Sequence, residues 1–392
     1  MKVAISGAGV AGPTLAYWLH RSGHQPTLIE RAPRFRTGGY VIDFWGVGFR
    51  VAQRMGIEAT VRERGYQVRS IRSARPDGRT RGSLSVDGFR RAVGDQFTSI
   101  PRGDLAAAVY ATIENDVEVI FDDSITAVDT HAGGVGISFE RANFREFDLV
   151  VGADGLHSNV RRLALGADST VEHYLGYEVA ACVVDGYRPR DELVYVTYSE
   201  PGRSIGRFSL RDNRTMFLFI LRCSRPRDPG DTAARTALLR RHFADMGGEC
   251  ARILAALDGV GDLYFDVVSQ IRLDRWSRGR AVLVGDAAAC VSLFAGEGTG
   301  LAMTEAYVLA GELHRAGSDY RSAFDRYEAR LRTFVEGKQK SAERFLPVFA
   351  TRTRLGIWFR DLVMNTLDVL PRADLFLRRD LRDEFDLPAY AM

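Results

Sequence analysis

Cysteine is scarce in this sequence, and its spacing excludes several kinds of site. The chain of 392 residues has four cysteines, Cys182, Cys223, Cys250 and Cys290, and none of them belongs to a CxxC pair. Their wide separation argues against a metal cluster, a redox dithiol and a disulfide scaffold. We therefore expect no metal site, and we expect the protein to be cytoplasmic.

The sequence also lacks an excess of charge and a long apolar run. Its 53 basic and 50 acidic residues give a net charge of +3, which offers no electrostatic basis for nucleic-acid binding. No apolar run is long enough to span a membrane, and a buried strand expected at residues 2–6 leaves no room for a signal peptide. The hydrophobic content of 46% is that of an ordinary globular protein.

The order of strand and helix patterns predicts an α/β fold. A strand at residues 3–6, a glycine turn, a helix at 13–21 and a strand at 25–30 predict a βαβ unit and hence a parallel sheet. Alternating apolar and polar segments between about residues 176 and 270 predict an antiparallel sheet. A buried strand at 281–284 then indicates that the chain returns to the parallel sheet.

These patterns predict a discontinuous arrangement of domains. We expect a Rossmann-like dinucleotide-binding domain at residues 1–175 and 271–320. A mostly antiparallel β-sheet domain at 176–270 would be inserted into it and would bind the substrate. Residues 321–392 would form a C-terminal helical region.

The first motif is a glycine turn, GAGVAG, at residues 7–12. Gly7 would form the tight turn, Gly9 would let a pyrophosphate approach the backbone, and Gly12 would allow close helix packing. Glu30, at the end of the next strand, would accept hydrogen bonds from ribose hydroxyls. The alternative is a purely structural turn, and the motif alone does not distinguish FAD from NAD.

A second motif, DLVVGADGLHSNVR at residues 148–161, places an Asp-Gly pair directly after an apolar strand. Asp154 would face the dinucleotide, while Ser158 and Arg161 would open a helix. The alternative is that Asp154 is a turn residue and Ser158 a helix cap. His157 is interpreted as an ordinary loop histidine.

A third motif, RAVLVGDAA at residues 280–288, runs from a strand into an acid, and GEGTG at 296–300 precedes a helix. The carboxylate of Asp286 would accept hydrogen bonds from ribityl hydroxyls. Backbone amides at Thr299 and Gly300, aided by the helix dipole, would stabilise negative charge on a reduced flavin.

With these three motifs, the chain resembles the class A flavoprotein monooxygenases, a family that includes para-hydroxybenzoate hydroxylase, kynurenine monooxygenase and tetracycline-inactivating enzymes. The resemblance covers roughly the first 310 residues. It implies that the glycine turn binds the ADP part of FAD, that the Asp-Gly segment lies near the pyrophosphate and that the Gly-Asp segment holds the ribityl chain. The segment IPRGDL at 100–105 is similar to a helix start whose arginine lies against the cofactor, which adds Arg102.

The resemblance therefore implies a Rossmann-like FAD-binding domain, an inserted substrate-binding β-sheet domain and C-terminal helices. No catalytic residue is assigned. The residues expected to bind the cofactor are Gly7, Gly9, Ala11, Gly12, Glu30, Arg31, Arg102, Asp154, Gly285, Asp286, Gly298, Thr299 and Gly300.

The family's chemistry implies that NADPH or NADH reduces FAD, that O2 adds at flavin C4a, and that the resulting hydroperoxide hydroxylates or epoxidises a small molecule. We expect an aromatic or polyketide-like substrate. The alternatives are an FAD-dependent oxidoreductase or dehydrogenase without oxygen transfer and a non-catalytic nucleotide-binding protein. Two positions depart from the family: Ala289 replaces a usual histidine and Ser292 a frequent proline.

Aromatic residues are frequent in the predicted strands and allow two interpretations. They form a hydrophobic core or they line a substrate cavity, and a core is the commoner role. Substrate identity, the choice between NADH and NADPH and the oligomeric state depend on cavity and surface features that the motifs do not describe. The aromatic residues in question are Tyr40, Tyr195, Tyr198, Phe208, Phe217, Phe219, Phe265 and Phe294.

Overall fold

A computed structural model describes residues 1–35, 39–87, 90, 96–166, 171–349, 351–369 and 385–392. The strands in chain order are β1 (Lys2–Ser6), β2 (Gln25–Glu30), β3 (Val41–Trp45), β4 (Ser70–Ala74), β5 (Thr80–Ser85), β6 (Phe97–Pro101), β7 (Glu118–Phe121), β8 (Ile125–Thr130), β9 (Val135–Phe139), β10 (Arg145–Phe147), β11 (Leu149–Gly152), β12 (Val171–Asp185), β13 (Val194–Glu200), β14 (Arg203–Ser209), β15 (Arg214–Arg222), β16 (Tyr264–Arg272), β17 (Ser277–Arg278) and β18 (Ala281–Leu283). The helices are α1 (Ala11–Arg21), α2 (Gly46–Arg54), α3 (Glu58–Arg64), α4 (Arg102–Tyr110), α5 (Thr232–Phe243), α6 (Cys250–Ala255), α7 (Asp286–Ala289), α8 (Gly298–Ala316), α9 (Tyr320–Phe349) and α10 (Arg354–Val369).

The N-terminal glycine motif follows the first strand of a six-stranded sheet. Its order is β17-β18-β11-β1-β2-β7, and all neighbouring pairs are parallel except β17 with β18. The central strands β1, β11 and β18 are almost wholly buried, as expected for a parallel sheet covered on both faces. The predicted parallel sheet is confirmed, although α1 begins at Ala11, two residues before the predicted start.

A seven-stranded sheet forms the second layer, in the order β16-β12-β15-β14-β13-β4-β5. The pairs from β16 to β13 are antiparallel, which confirms the antiparallel sheet predicted for this part of the chain. Strand β13 also pairs in parallel with β4, and β4 pairs with β5. The sheet therefore includes two strands from the first quarter of the chain, which the sequence patterns did not predict. The domain bounds themselves stay a prediction.

Two small sheets and a long buried helix pack beside the two large sheets. Strand β3 pairs with β6, and β8, β9 and β10 form a three-stranded antiparallel sheet. Helix α8 is buried along almost its whole length and contacts α1, α2 and α9. Among the described residues, no helix is both long and apolar enough to cross a membrane.

Candidate functional site

A cavity of about 2190 Å3 lies where the two large sheets meet. One side is formed by segments that follow the carboxyl ends of β1, β2, β11 and β18, and the other by one face of the seven-stranded sheet. In open α/β sheets, ligands bind in the crevice outside the carboxyl ends of the strands. The cavity is therefore the candidate functional site.

The glycine turn after β1 combines two close contacts with one open position. Gly7 has φ +104°, and a Cβ there would lie 2.5 Å from the carbonyl oxygen of Ala153. A Cβ at Gly12 would lie 2.0 Å from the carbonyl oxygen of Gly7, so α1 packs directly on the turn. At Gly9, in contrast, a Cβ would meet no atom within 4 Å. The backbone at Gly9 is thus open to a ligand, beside the N-terminus of α1.

Glu30 stabilises this turn through one carboxylate oxygen and the loop that follows β2 through the other. Its Oε2 accepts from the Ala8 amide at 2.8 Å and its Oε1 from the Ala32 amide at 2.8 Å. A carboxylate oxygen has more than one acceptor position, so a bond to a backbone amide does not by itself prevent one to a ribose hydroxyl. Glu30 also lines the cavity, and its predicted contact with a ribose stays a prediction.

The Asp-Gly segment is held by a dense set of hydrogen bonds. The Asp154 carboxylate accepts from Ser6 Oγ at 3.2 Å, from the amides of Asn159 and Val160 at 2.9 and 3.1 Å, and from Ser158 Oγ. Asp154 thus holds the residues that precede the short helical segment Arg161–Leu165 and also lines the cavity, while Ser158 Oγ accepts from the Arg161 amide at 3.0 Å. Both interpretations of this residue remain compatible with its position.

Arg161 joins this segment to the Gly-Asp motif. Its buried guanidinium donates to the carbonyl oxygens of Leu156 and Ala287 at 2.6 and 3.1 Å. Gly285 has φ +64°, a conformation that favours glycine, and it precedes Asp286, which lines the cavity. The motif predicted after β18 thus places its acid at the site.

Arg102 and Tyr40 give the middle of the cavity its electrostatic character. Arg102 lines the cavity, and its side chain is exposed to the solvent-accessible space inside it. Burial lowers its pKa, but Tyr40 and Asp286 outweigh this and raise the pKa of Arg102. Burial raises the pKa of Asp286, an effect that Arg102 partly offsets, and burial raises the pKa of Tyr40 to about 12. At neutral pH the cavity therefore contains a guanidinium ion and a neutral phenol.

The N-terminus of α8 supplies further backbone donors. Gly298 and Thr299 line the cavity, and the first amides of a helix have no acceptor within the helix itself. Gly300 lies behind them against α2, where a Cβ on Gly48 would be 2.2 Å from the Gly300 Cα. The helix dipole makes this end attractive to negative charge.

Most of the residues predicted from the motifs meet in this one cavity. Gly12, Gly285 and Gly300 do not line it and instead pack behind its wall. The role of these residues in cofactor binding stays a prediction. The predicted residues that line the cavity are Gly7, Gly9, Ala11, Glu30, Arg31, Arg102, Asp154, Asp286, Gly298 and Thr299.

His157 has a partner that the sequence did not reveal. Its Nε2 lies 3.1 Å from Asp266 Oδ1, and Tyr264 donates to Asp266 Oδ2 at 3.1 Å. The hydrogen bond with Asp266 raises the pKa of His157. His157 lies exposed in a turn, in agreement with its interpretation as an ordinary loop histidine, and it also contacts a residue of β16 more than a hundred positions away.

Glu305 is a buried acid that the sequence analysis missed. It lies on α8, and its Oε2 accepts from the Gly285 amide at 2.5 Å. An acid within the mostly apolar stretch of residues 301–313 is the signal that could have identified it. Its contact places it directly behind the residue that precedes Asp286.

The aromatic residues divide between the two roles considered above. The four that face the cavity are Tyr40, Tyr195, Phe265 and Phe294. The four that do not line it are buried in the core: Tyr198, Phe208, Phe217 and Phe219.

Two buried hydroxyls in the cavity wall have no partner among the described residues. Ser269 and Ser292 are 1% and 5% exposed, and the Oγ atom of each lacks a hydrogen bond. Buried polar groups are normally satisfied, so a ligand or water that supplies partners would be favoured there. Together with the open backbone at Gly9, these hydroxyls indicate a ligand that has an anionic part and a polar part.

The chain matches the model of a family described as FAD binding domain over residues 1–340. A flavin-dependent monooxygenase of Legionella longbeachae is 33% identical over 354 residues, and the match covers 87% of this chain and 87% of that protein. An uncharacterised protein of Mycobacterium tuberculosis is 40% identical over 347 residues, covering 86% of this chain and 91% of that protein.

Solved structures share the fold over almost the whole chain. The tetracycline destructase Tet(51) is 29% identical, with a TM-score of 0.85 and coverage of 99% of each chain. HpxO of Klebsiella pneumoniae, solved in complex with FAD and uric acid, is 22% identical, with a TM-score of 0.80 and coverage of 97% of this chain and 96% of that chain. The second likeness concerns the fold alone.

Proposed function

The chain belongs to the class A FAD-dependent monooxygenase family, and we propose that it uses NADPH or NADH and O2 to hydroxylate or epoxidise an aromatic or polyketide-like small molecule. The observation that carries this proposal is that one cavity joins the glycine turn and Asp286 to an aromatic-lined face of the second sheet. When bound, FAD would supply the redox chemistry, by which one atom of O2 enters the substrate and the other leaves as water.

The ADP half of FAD would occupy the end of the cavity at the glycine turn. Amides around Gly9 and Ala11 would bind the pyrophosphate at the N-terminus of α1, and Gly7 and Gly12 would keep the turn in shape. Glu30 would bind the adenosine ribose.

Charged residues beside the turn would complete the ADP end of the site. Arg31 would provide positive charge at this end, and Arg102 would provide it further along, in the middle of the cavity near Asp286. Asp154 would keep the adjoining loop in position through its own hydrogen bonds.

The flavin half would lie along the Gly-Asp motif and the start of α8. Asp286, which follows Gly285, would accept from ribityl hydroxyls, because its carboxylate faces the cavity. The amides of Gly298, Thr299 and Gly300 would stabilise negative charge on the reduced ring, aided by the helix dipole.

The substrate would bind on the sheet side of the cavity. Tyr195 and Phe294 lie there, and apolar neighbours such as Leu218 exclude water from the reaction space. The tetracycline destructase Tet(51), with 29% identity and similar length, supports a fused-ring polyketide-like substrate class. In domain terms, residues 1–175 with 271–320 would bind FAD, 176–270 would bind substrate and 321–392 would form a C-terminal helical region.

We further propose a cytoplasmic location for the enzyme. Its four cysteines, which all lie in described parts of the chain, are free thiols. Free thiols without a disulfide framework suit a reducing compartment that also contains NADPH and NADH.

Oxygen transfer is tested with FAD-loaded protein, NADPH, 18O2 and tetracycline as the probe substrate. We expect a product that contains one 18O atom, detected by mass spectrometry, and none when 16O2 is used in H2 18O. An oxidised product without 18O would contradict the monooxygenase reaction and support an oxidoreductase that does not transfer oxygen. Unchanged tetracycline, while other aromatic probes are oxygenated, would contradict the polyketide-like substrate class.

A further inference from the structure

Glu305 makes a short, buried contact with the backbone of the Gly-Asp motif. Its side chain is fully enclosed on α8, and its Oε2 accepts from the Gly285 amide at 2.5 Å. Gly285 has φ +64°, and its carbonyl oxygen in turn accepts from the amides of Ala288 and Ala289 at 2.9 and 3.0 Å. The Glu305 contact thus fixes the turn from which α7 begins, immediately before Asp286.

Close packing leaves this turn little freedom to move. A Cβ on Gly285 would lie 3.1 Å from Ala302 Cβ and 3.4 Å from Ala11 Cβ. Helices α8 and α1 therefore enclose Gly285 on two sides, while Glu305 holds its amide from α8. The same helix α8 places Gly298 and Thr299 in the cavity wall two turns earlier. One helix consequently supports both parts of the proposed flavin-binding end.

The contacts of Tyr327 are compatible with a proton on the carboxyl group of Glu305. Tyr327 Oη lies 3.0 Å from the carbonyl oxygen of Leu283 and 3.3 Å from Glu305 Oε2. A phenol has one proton, and a carbonyl oxygen only accepts. The phenol therefore donates its proton either to Leu283 or to Glu305. When it donates to the nearer Leu283 oxygen, a protonated Glu305 can donate to Tyr327 Oη, and both contacts are then satisfied.

No positive charge compensates Glu305 within the part of the chain that the structure describes. The titratable groups that face it are Asp286 at the start of α7 and Tyr327 on α9. Burial raises the pKa of Glu305 to about 8, with Asp286 acting in the same direction, although the hydrogen bonds from Gly285 and Tyr327 partly offset the rise. Glu305 is therefore mainly un-ionised at neutral pH.

We propose that Glu305 is a positioning residue of the flavin site, which as an un-ionised acid holds the Gly285 amide and thereby presents Asp286 to the cofactor. The inference rests on the proposed FAD site. Ionisation of Glu305 adds a second buried negative charge behind Asp286. Since the diphosphate of FAD is itself anionic, cofactor binding favours the protonated acid, and FAD affinity falls as the pH rises above about 8.

Glu312 provides a matched control on the same helix. It is also fully buried, but Arg326 and Arg330 donate to its two oxygens at 2.8 and 2.7 Å. Burial raises its pKa, but hydrogen bonds from Arg326 and Tyr390 outweigh this and lower it below the usual range. Glu312→Gln therefore removes a buried carboxylate that is already ionised at every pH from 6 upward.

The test measures the Kd of FAD for apo-protein from pH 6.5 to 9.5 by quenching of FAD fluorescence. For the wild type we expect a constant Kd below pH 8 and an increase of about tenfold by pH 9.5. Glu305→Gln, a neutral isostere of the acid, should bind FAD like the wild type at pH 7 and show no increase at high pH. Glu305→Ala should bind about tenfold more weakly at pH 7, because Gly285 loses its acceptor. Glu312→Gln should keep the wild-type pH profile.

Equal pH profiles for the wild type and Glu305→Gln would overturn the role of the un-ionised acid. Wild-type affinity at pH 7 in a folded Glu305→Ala variant would overturn the positioning role. If Glu305→Ala does not fold, the comparison of Glu305→Gln with the wild type still decides the proposal. A wild-type protein that binds no FAD at any pH would instead contradict the proposed function, from which this inference is drawn.

Discussion

Asp286 and Glu30 are both acids of the proposed FAD site, but they differ in what they do without a ligand. Glu30 accepts from two backbone amides and so stabilises the loops that follow β1 and β2. Asp286 faces the cavity, and burial raises its pKa, which indicates that the folded chain gains little from its charge. We therefore expect Glu30 to contribute to the stability of the fold as well as to FAD binding, and Asp286 to contribute to FAD binding alone.

Alanine variants of these two acids should weaken FAD binding but should differ in the stability of the apo-protein. Asp286→Ala should lower FAD affinity at least about tenfold. It should not lower the free energy of unfolding of the apo-protein. Glu30→Ala should weaken binding of the adenosine part of FAD without altering the spectrum of the bound flavin. It should also lower the free energy of unfolding by roughly 1–3 kcal/mol, because two backbone amides lose their acceptor. Thermal unfolding followed with a fluorescent dye measures the stability of the apo-protein, and titration with FAD measures the affinity. Full FAD occupancy in both variants would show that the residue assignments are wrong.

At the scale of elements, the glycine motif at residues 7–12 has one open glycine, Gly9, and two enclosed glycines, of which Gly12 lies in the first turn of α1. A side chain at Gly9 would meet no atom within 4 Å, whereas one at Gly12 would overlap the carbonyl oxygen of Gly7. The same substitution at these neighbouring positions should therefore have different effects. One position is kept open for a ligand, and the other is needed for helix packing.

Gly9→Ala should leave apo-protein stability within about 0.5 kcal/mol of the wild type, since the new methyl group enters open space. It should nevertheless abolish or strongly weaken FAD binding, because the methyl group occupies the path of the pyrophosphate. Gly12→Ala should lower the free energy of unfolding by about 3 kcal/mol or more through overpacking. Thermal unfolding and FAD titration distinguish the two. Normal FAD affinity in Gly9→Ala would contradict the placement of the pyrophosphate.

Elements set by local patterns were predicted from the sequence, whereas long-range pairings were not. The order β1, α1 and β2 follows from apolar runs, a glycine turn and helical periodicity within 30 residues. The pairing of β4 with β13 joins positions more than 120 residues apart, and nothing in either segment specifies its partner. Strand partners of this kind depend on the packing of the whole sheet.

At the scale of the whole molecule, the parallel sheet and the mainly antiparallel sheet meet at the cavity. The motifs predicted which ends of the parallel strands would contribute, because the glycine turn and Asp286 directly follow β1 and β18. They did not predict the supports behind the wall, such as Glu305, or the link from His157 to Asp266. Such contacts join residues without a shared motif, so only the folded chain reveals them.

The central claim is that this cavity binds FAD for reduction by a nicotinamide cofactor. The most direct measurement is the visible spectrum of the purified protein with FAD, followed by anaerobic addition of NADPH and of NADH, and then by air. The account predicts a bound flavin spectrum that bleaches with at least one of the two nucleotides and returns with O2, with hydrogen peroxide released when no substrate is present. A protein that neither contains nor binds FAD would contradict the account.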